Sequence, residues 1–515
     1  MTPIEARRLV LQGALDGAGT PTERNRLGQF ATPTRLAAEV LAHARKLFPL
    51  GRPVRFLDPA IGTGAFYSAF LRAFPARRIE AAVGFEIDPH YAEPARKLWR
   101  RHPLQLVVGD FTAAKPPAAR GRFNLIVCNP PYVRHHHMTA AEKARLREAA
   151  AGASGVRLAG LAGLYCYFLA LAHAWLAEDG IAGWLIPSEF MDVNYGEPLK
   201  RYLLEKVELL RVHRCDPGDL QFSDALVSSA MVWLRKRRPS PGHLPGHLVE
   251  FSFGGTLADP ARSRRVGAGA LRNVRKWTGI AAAGVRAARG ASKLGDFFSV
   301  RRGLATGANR FFILTRAEIE ARRLPRAFFR PILPGPRFLP ADVIEADPDG
   351  MPMIERQNFI LDCRLPEAEI RARHPVLWSY LESGKPSVAK TYLCSRRNPW
   401  YAQEYRPAAP FICTYMGRNL ARRKKPFRFI LNRSQATAAN VYLLLYPKPA
   451  LARALDEDPG LARRVWALLD AIPPETLLWE GRVYGGGLFK LEPNELANVR
   501  ADGIAALLGV AVALR

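Results

Sequence analysis

Four apolar runs follow one another in the first 130 residues, and each stops at a polar side chain: Val54 to Asp58, Ala81 to Glu86, Leu104 to Asp110, and Phe123 to Asn129. Runs this short and this apolar read as strands buried within a sheet. Helical patterns connect at least three of them, which predicts parallel strands joined by right-handed crossovers. Ligands of such sheets bind outside the carboxyl ends of the strands, so Asp58, Glu86, Asp110 and Asn129 are expected along one edge of one site. The alternative, four polar strand ends with no common role, requires the same coincidence at every strand.

The segments between the strands agree with this. After Asp58 the chain runs Pro59-Ala60-Ile61-Gly62-Thr63-Gly64 and re-enters a helix at Ala65 to Phe74. Strand, glycine turn and helix together let a ligand lie against backbone amides at a helix N-terminus, although two glycines in a loop are weak evidence alone. Glu86 follows that turn at about the 20-residue distance at which nucleotide-binding sheets present a carboxylate to ribose hydroxyls. Upstream, residues 1 to 27 read as a polar, helical lead-in to Gly28-Gln29-Phe30-Ala31-Thr32-Pro33. A helix then carries Leu36, Val40, Leu41 and Ala44 on its apolar face, with Thr32 as N-cap and Pro33 at its first position.

The run Phe123 to Cys128 ends in Asn129-Pro130-Pro131-Tyr132. The Asn side chain offers a carbonyl acceptor, the Pro130 carbonyl a second, and Tyr132 a flat aromatic face, a combination suited to a planar ring bearing an exocyclic amine such as adenine. A Pro-Pro turn after a core strand explains the tetrapeptide equally well in isolation. The following His135-His136-His137 reads as a loop beside the pocket, since adjacent histidines seldom converge on one metal ion and no Cys or carboxylate partner lies nearby. Leu164 to Leu176 predicts a buried helix, and Ile181 to Ile186 a strand ending in Pro187-Ser188-Glu189-Phe190. Leu209 to His213 and Ala225 to Leu234 read as the last two strands. The composition breaks at Arg235-Lys236-Arg237-Arg238-Pro239-Ser240-Pro241, which places a domain boundary after residue 238.

The chain of 515 residues, 48% hydrophobic, is long enough for two to three domains. Its formal charge of +29 divides into 29 basic and 19 acidic residues up to position 215, and 46 basic and 27 acidic residues from 216 onward. Such basicity suits a polyanionic partner, nucleic acid above all; solvated Arg faces in an Arg-rich proteome are the plainer reading. The six cysteines form no CxxC pair, which points to neither zinc nor disulfides and to a reducing, cytoplasmic setting. No apolar stretch reaches membrane-spanning length.

In this order, GQFATP, DPAIGTG, GFEID, GDF, NPPY and IPSEF resemble the amino-group DNA methyltransferases that use S-adenosylmethionine, with the closest likeness to the TaqI-type adenine-N6 enzymes. The resemblance implies an α/β fold: a Rossmann-like class I methyltransferase sheet over residues 1–238, with a second α+β DNA-recognition domain over residues 239–515. It implies that Gln29, Phe30, Thr32 and Pro33 flank S-adenosylmethionine, and that Asp58, Ala60, Gly62 and Gly64 surround its methionine part. Glu86 would hold the ribose, Ile87 would pack on the cofactor adenine, and Asp110 with Phe111 would bind and stack it. Asn129, Pro130, Pro131 and Tyr132 would hold the target base, with Tyr195 as a second aromatic against it and Phe190 a competing assignment. RRGLATGANRFF, RNPWY, ILNRSQATAAN and GRVYGGGLFKLEP resemble the family's specificity domain and make Arg301, Trp400, Arg433, Asn440, Tyr484 and Lys490 candidate DNA contacts. The basic run Arg422 to Lys425 suits phosphate contact. A monomer acting on double-stranded DNA is expected, with any restriction endonuclease encoded separately. Enzymes that methylate RNA bases or protein glutamines share NPPY and stay open, as does a DNA-binding protein that has lost activity.

Overall fold

The computed structural model describes residues 2–18, 28–216, 228–237, 246–283, 292–418, 425–484 and 488–509. Two compact units are present, one comprising Met1–Ala287 with Tyr484–Gly487, the other Ala288–Val483 with Leu488–Arg515.

The first unit is a nine-stranded sheet in the order β3-β2-β1-β4-β5-β7-β6-β8-β9. The strands are β1 (Val54–Asp58), β2 (Ile79–Glu86), β3 (Gln105–Val108), β4 (Phe123–Cys128), β5 (Leu176–Pro187), β6 (Glu208–Arg214), β7 (Ser229–Arg235), β8 (Leu248–Gly255) and β9 (Pro260–Gly267). β3, β2, β1, β4 and β5 run parallel, and β7 is antiparallel to both its neighbours. The longer helices are α1 (Pro3–Gly17), α2 (Thr34–Leu47), α3 (Ala65–Ala73), α4 (Pro89–Trp99), α5 (Ala140–Ser154), α6 (Leu164–Ala172) and α7 (Glu197–Glu205).

Every residue of β4 is buried, with none of the alternation of a one-sided strand. The pleat divides them: Leu125 and Val127 join a core with α2, α3 and Trp99 of α4, whereas Ile126 and Cys128 join a core with α5, α6 and α7. A central parallel strand covered on both faces has this composition because neither face meets water. The result is the expected α/β sandwich, and the four anticipated strands end where the sequence places them.

Several expectations are corrected. The sheet does not end at β7: β8 pairs parallel with β6, and β9 pairs antiparallel with β8. Val249 and Phe251 of β8 are buried in the same core as β5 and β7, so the units divide at Ala287/Ala288 and not after residue 238. On that division the first 287 residues carry 40 basic and 24 acidic residues and the remainder 35 and 22, net +16 and +13, so the positive charge is not concentrated in the second part. Pro33, not Thr32, is the N-cap of α2. The stretch read as one helix from Leu164 to Leu176 is α6 followed by the start of β5. Of the run Ala225 to Leu234, residues 225 to 227 lie outside the described residues.

The second unit holds a five-stranded sheet in the order Phe298–Arg302, Tyr442–Pro447, Phe411–Thr414, Phe429–Asn432, Val343–Ile344, and a four-stranded sheet made by Ile313–Thr315, Asn358–Leu361, Phe329–Leu333 and Thr437–Ala438. Short helices pack on them, as an α+β domain requires. Its cores are its own, with Phe411, Leu443 and Val465 in one and Phe312, Leu377 and Tyr401 in another.

Candidate active site

Two positions around the site need glycine, one in the loop after β1 and one in the GQFATP segment before α2. Gly64 has φ +92 and forms the left-handed N-cap of α3; a Cβ there would stand 2.6 Å from Nε1 of Trp99, whose indole donates to the Thr63 carbonyl at 2.9 Å. Gly28, at φ +67, would place a Cβ 2.4 Å from the Tyr132 amide nitrogen, and that amide donates to the Gly28 carbonyl at 3.2 Å. The glycine in GQFATP is therefore what lets that segment lie flat against NPPY.

Glu86, at the end of β2, closes the loop from the other side. Its Oε2 accepts from the Gly62 amide at 3.0 Å and its Oε1 from the Asp88 amide at 2.9 Å. Each carboxylate oxygen retains a further lone pair for a hydroxyl of a ligand. Ile87 follows with 64% of its surface exposed, an apolar face presented to solvent directly beside the carboxylate. Gln29 Nε2 donates to Asp88 Oδ2 at 3.2 Å, joining the first segment to this one.

Asp58 is buried at 1% exposure at the end of β1 and accepts from the Ala60 amide at 3.2 Å. Burial pushes its carboxyl up to about 8, with the Glu86 charge adding to the rise and the Ala60 amide opposing it. Burial raises Glu86 as well. Because the folded value for Asp58 lies above the ordinary 3.8, folding favours the protonated carboxyl; that stabilisation is complete below the ordinary value and is lost as pH rises through about 8. The thermal midpoint of the cofactor-free protein is expected to fall between pH 6 and pH 9, and Asp58→Asn to flatten the fall. Equal slopes for the two proteins would show that Asp58 does not titrate in this window.

Asp110 caps the turn after β3, accepting from the Thr112 amide and hydroxyl, each at 2.8 Å. Arg145 of α5 stands 3.5 Å from its Oδ2 and donates to the Thr112 carbonyl at 3.0 Å. The contact of Arg145 with Asp110 is tertiary and leaves no local signal in the sequence. Phe111 is a correction: expected to stack on adenine, it is 2% exposed and packs against Phe85, Phe168 and Trp175, so it supports the site from inside the core.

Asn129 stands at the end of β4. Its Nδ2 donates to the Phe30 carbonyl at 3.0 Å and to Thr32 Oγ1 at 3.1 Å, which fixes the plane of the amide. Thr32, expected as a cap, has this task instead. The amide oxygen Oδ1 is buried and has no hydrogen-bond partner among the described residues. An acceptor without a donor is a liability in a finished core and an asset in a site that receives an N–H group.

Pro130 is buried and Pro131 half-buried. Tyr132 is largely enclosed, 8% exposed, with its hydroxyl donating to the Leu185 carbonyl at 3.1 Å and the Phe30 ring 5.5 Å away. The open flat face expected of Tyr132 is thus mostly taken up by the core. Of the two competing aromatics, Phe190 is fully buried against Trp277, while Tyr195 lies half-buried in the turn Asn194–Gly196 with its hydroxyl on Glu189. His135–His137 form one turn of 3-10 helix between β4 and α5, and among the described residues no group of His, Cys, Asp or Glu is arranged to hold a metal.

The candidate DNA contacts in the second unit are less uniform. Arg301 is exposed on its strand, whereas Arg433 pairs with Glu345 at 3.2 Å and Lys490 with Glu492 at 2.8 Å. Trp400 is half-buried among Phe311, Phe312 and Tyr401, a packing role that its sequence context concealed. Asn440 offers its carbonyl to Arg302 Nε at 3.1 Å. Tyr484 ends the strand Arg482–Tyr484, and its side chain is not among those described. Of the run Arg422 to Lys425, the first three residues lie outside the described residues and Lys425 pairs with Asp470 at 2.7 Å. Exposed aromatics with stacked arginines occur elsewhere: Arg396 lies 4.0 Å over Tyr392 and Arg330 4.9 Å over Tyr405.

Two family models match the chain: "Eco57I restriction-modification methylase" over residues 90–220, which include Asp110, NPPY and Tyr195, and "Type II methyltransferase M.Eco57I, C-terminal domain" over residues 280–507. Among curated relatives, the Type II methyltransferase M.XamI of Xanthomonas campestris pv. amaranthicola is 28% identical, covering 94% of this chain and 86% of its own length. The Type II methyltransferase M.AccI of Acinetobacter calcoaceticus is 22% identical, with 92% and 85% covered. The solved structure of the Type IIL restriction-modification enzyme MmeI in complex with DNA superposes with a TM-score of 0.52 at 15% identity, covering 88% of this chain and 63% of that one, a likeness of fold. With an Eco57I-type match in each unit and a class I methyltransferase sheet in the first, the chain is an S-adenosylmethionine-dependent DNA methyltransferase with a C-terminal domain.

Proposed function

We propose that the enzyme methylates the exocyclic N6 of adenine at a specific site in double-stranded DNA, with the target base turned out of the helix into the pocket at the end of β4. The observation that carries this reading is Asn129: an amide held in place through its nitrogen, with a buried oxygen that lacks a donor among the described residues.

S-adenosylmethionine supplies a methyl group on an electrophilic sulfonium. Everything else falls to the chain. Glu86 is positioned to receive ribose hydroxyls, Ile87 to cover one face of the cofactor adenine, and the Asp58–Gly64 loop to enclose the methionine part. The lone pair of an aromatic exocyclic amine is delocalised into its ring and is a poor nucleophile. Asn129 Oδ1 and the Pro130 carbonyl, accepting its two hydrogens, localise that pair on nitrogen and aim it at the methyl group. The proton leaves after transfer, so no strong base is needed. Turning the base out of the duplex costs a few kcal/mol, which contact of the base with Tyr195 would offset in part.

The second unit is proposed to read the DNA sequence. The enzyme would serve as the modification part of a restriction-modification system, working as a cytoplasmic monomer, with any endonuclease on a separate chain. Six buried cysteines that form no disulfide suit a reducing compartment, and among the described residues no helix is long and apolar enough to cross a membrane.

The test is to express the chain in a host free of methylated DNA and sequence that DNA with detection of modified bases. N6-methyladenine at one position of a recurring short sequence is expected. N4-methylcytosine would correct the base and keep the site; unmodified DNA alongside methylated RNA or protein glutamine would overturn the reading.

A further inference from the structure

Glu5 and Arg8 of α1 are each 1% exposed, yet neither belongs to a segment expected to touch cofactor, DNA or target base. Arg8 Nε and Nη2 donate to the two Glu5 oxygens at 2.9 and 2.7 Å. Burial works to raise the Glu5 carboxyl, and hydrogen bonds from Arg8, Ser68 and Thr34 together with the Arg8 charge outweigh it, holding the group at about 2. A buried ion pair of this kind gives little net stability over an apolar pair of the same size, because both charges must be stripped of water. Its use is better sought in the guanidinium's other N–H groups.

Those groups reach two segments of the candidate site. Arg8 Nη1 donates to Thr63 Oγ1 at 3.1 Å, and Nη2 to Thr34 Oγ1 at 3.2 Å. Thr63 lies between Gly62 and Gly64; Thr34 directly follows the Gln29–Pro33 segment. The Thr63 hydroxyl in turn donates to Gln12, one turn further along α1. Glu5, Arg8 and Gln12 share one helical face by their spacing. The far end of α1 meets a third segment, where Tyr91 donates its hydroxyl to Asp16 at 2.9 Å and His90 Nε2 stands 3.2 Å from the Leu15 carbonyl. His90 and Tyr91 open α4, just past Glu86, Ile87 and Asp88.

We propose that Arg8, oriented by Glu5, is a positioning residue of the cofactor site: it braces the glycine loop and the Gln29–Thr34 segment against α1, so that both hold their binding geometry before cofactor arrives. This rests on the reading of those two segments as cofactor-binding. A site held in advance loses less freedom on binding, so removal of the brace lowers affinity for the cofactor.

Thr63→Val tests this without leaving a charge unpaired, since it keeps the shape of the side chain and removes its bonds to Arg8 and Gln12. Arg8→Lys keeps the charge opposite Glu5 and loses the fork that reaches Thr63 and Thr34 together. In the full-length enzyme, both variants are expected to bind S-adenosylmethionine roughly tenfold more weakly by calorimetry, the loss of about one charge-assisted hydrogen bond. The effect should fall on KM for the cofactor and not on kcat, which a role in stability alone would not produce. Glu86→Ala is measured beside them. Normal cofactor affinity in Thr63→Val and Arg8→Lys, with the affinity of Glu86→Ala reduced, overturns the brace and leaves the site standing. Normal affinity in all three overturns the assignment of the site itself, and the brace with it.

Discussion

Asn129→Ala is expected to lower methyl transfer by about 10²–10³-fold, the range found when a preorganised hydrogen-bonding group is removed from a reacting centre. The change deletes the unpartnered acceptor Oδ1 and also the two bonds that Nδ2 makes to Phe30 and Thr32. Those bonds orient the amide, and the cofactor segments around Glu86 do not depend on them. DNA affinity, by mobility shift, should therefore stay near that of the parent enzyme, and cofactor affinity, by calorimetry, should fall far less than the rate, because Glu86 and its partners are untouched and only the Phe30–Thr32 side loses contacts. Asn129→Asp separates orientation from accepting power: it keeps an oxygen at the Oδ1 position, but its second oxygen would face the Phe30 carbonyl, an acceptor against an acceptor. It too is expected to be severely impaired. A single-turnover rate for Asn129→Ala close to the parent's would mean that the amine is activated elsewhere and the pocket has been misidentified.

How much of this was legible in the sequence differs between the two units for a physical reason. In the first, local chemistry and tertiary role coincide. A strand buried on both faces is continuously apolar, and its end is marked by the first polar residue, so Asp58, Glu86, Asp110 and Asn129 could be placed before any coordinates. What sequence could not show was how each side chain is satisfied. Phe111 and Tyr132 are aromatic whether they face a ligand or a core, and only packing shows both to be mostly enclosed. The same is true of Arg8 and Arg145, which look like surface residues until the partners of their guanidinium groups are known.

The boundary error has a similar origin. Arg235 to Pro241 is a true break in composition, but a chain can leave a sheet and return, and β8 carries the alternating Val249, Phe251 and Phe253 that signalled the return. In the second unit, arginines are so frequent that charge alone does not separate solvent-facing residues from those bound inside. Arg397 illustrates the problem: part of an apparent basic-aromatic cluster, it donates to the Thr306 carbonyl at 2.8 Å and the Ala305 carbonyl at 2.6 Å, holding a loop together.

Removal of the second unit is expected to have the largest effect on DNA binding. A chain ending near Ala287 keeps β1 to β9 and every residue described in the two cores of the first sheet. It should therefore fold and bind S-adenosylmethionine with affinity within about twofold of the full chain, as expected for sites that share no partners. DNA is a different matter, because the second unit carries 35 basic and 22 acidic residues and the match to the M.Eco57I C-terminal domain. If six or more phosphate contacts reside there, losing them should reduce affinity by about 10³-fold at moderate salt and flatten the dependence of binding on salt concentration. Single replacements in the intact enzyme should sort the residues further. Replacing a phosphate contact weakens all sequences alike, whereas replacing a base contact relaxes one position of the site. Exposed Arg301 and the Tyr392–Arg396 pair are better first choices than Arg433 or Lys490, whose charges already face Glu345 and Glu492. A truncated chain that methylates the same DNA site with undiminished efficiency would show that the first unit reads the sequence itself, and its own net charge of +16 would then be the place to look for the contacts.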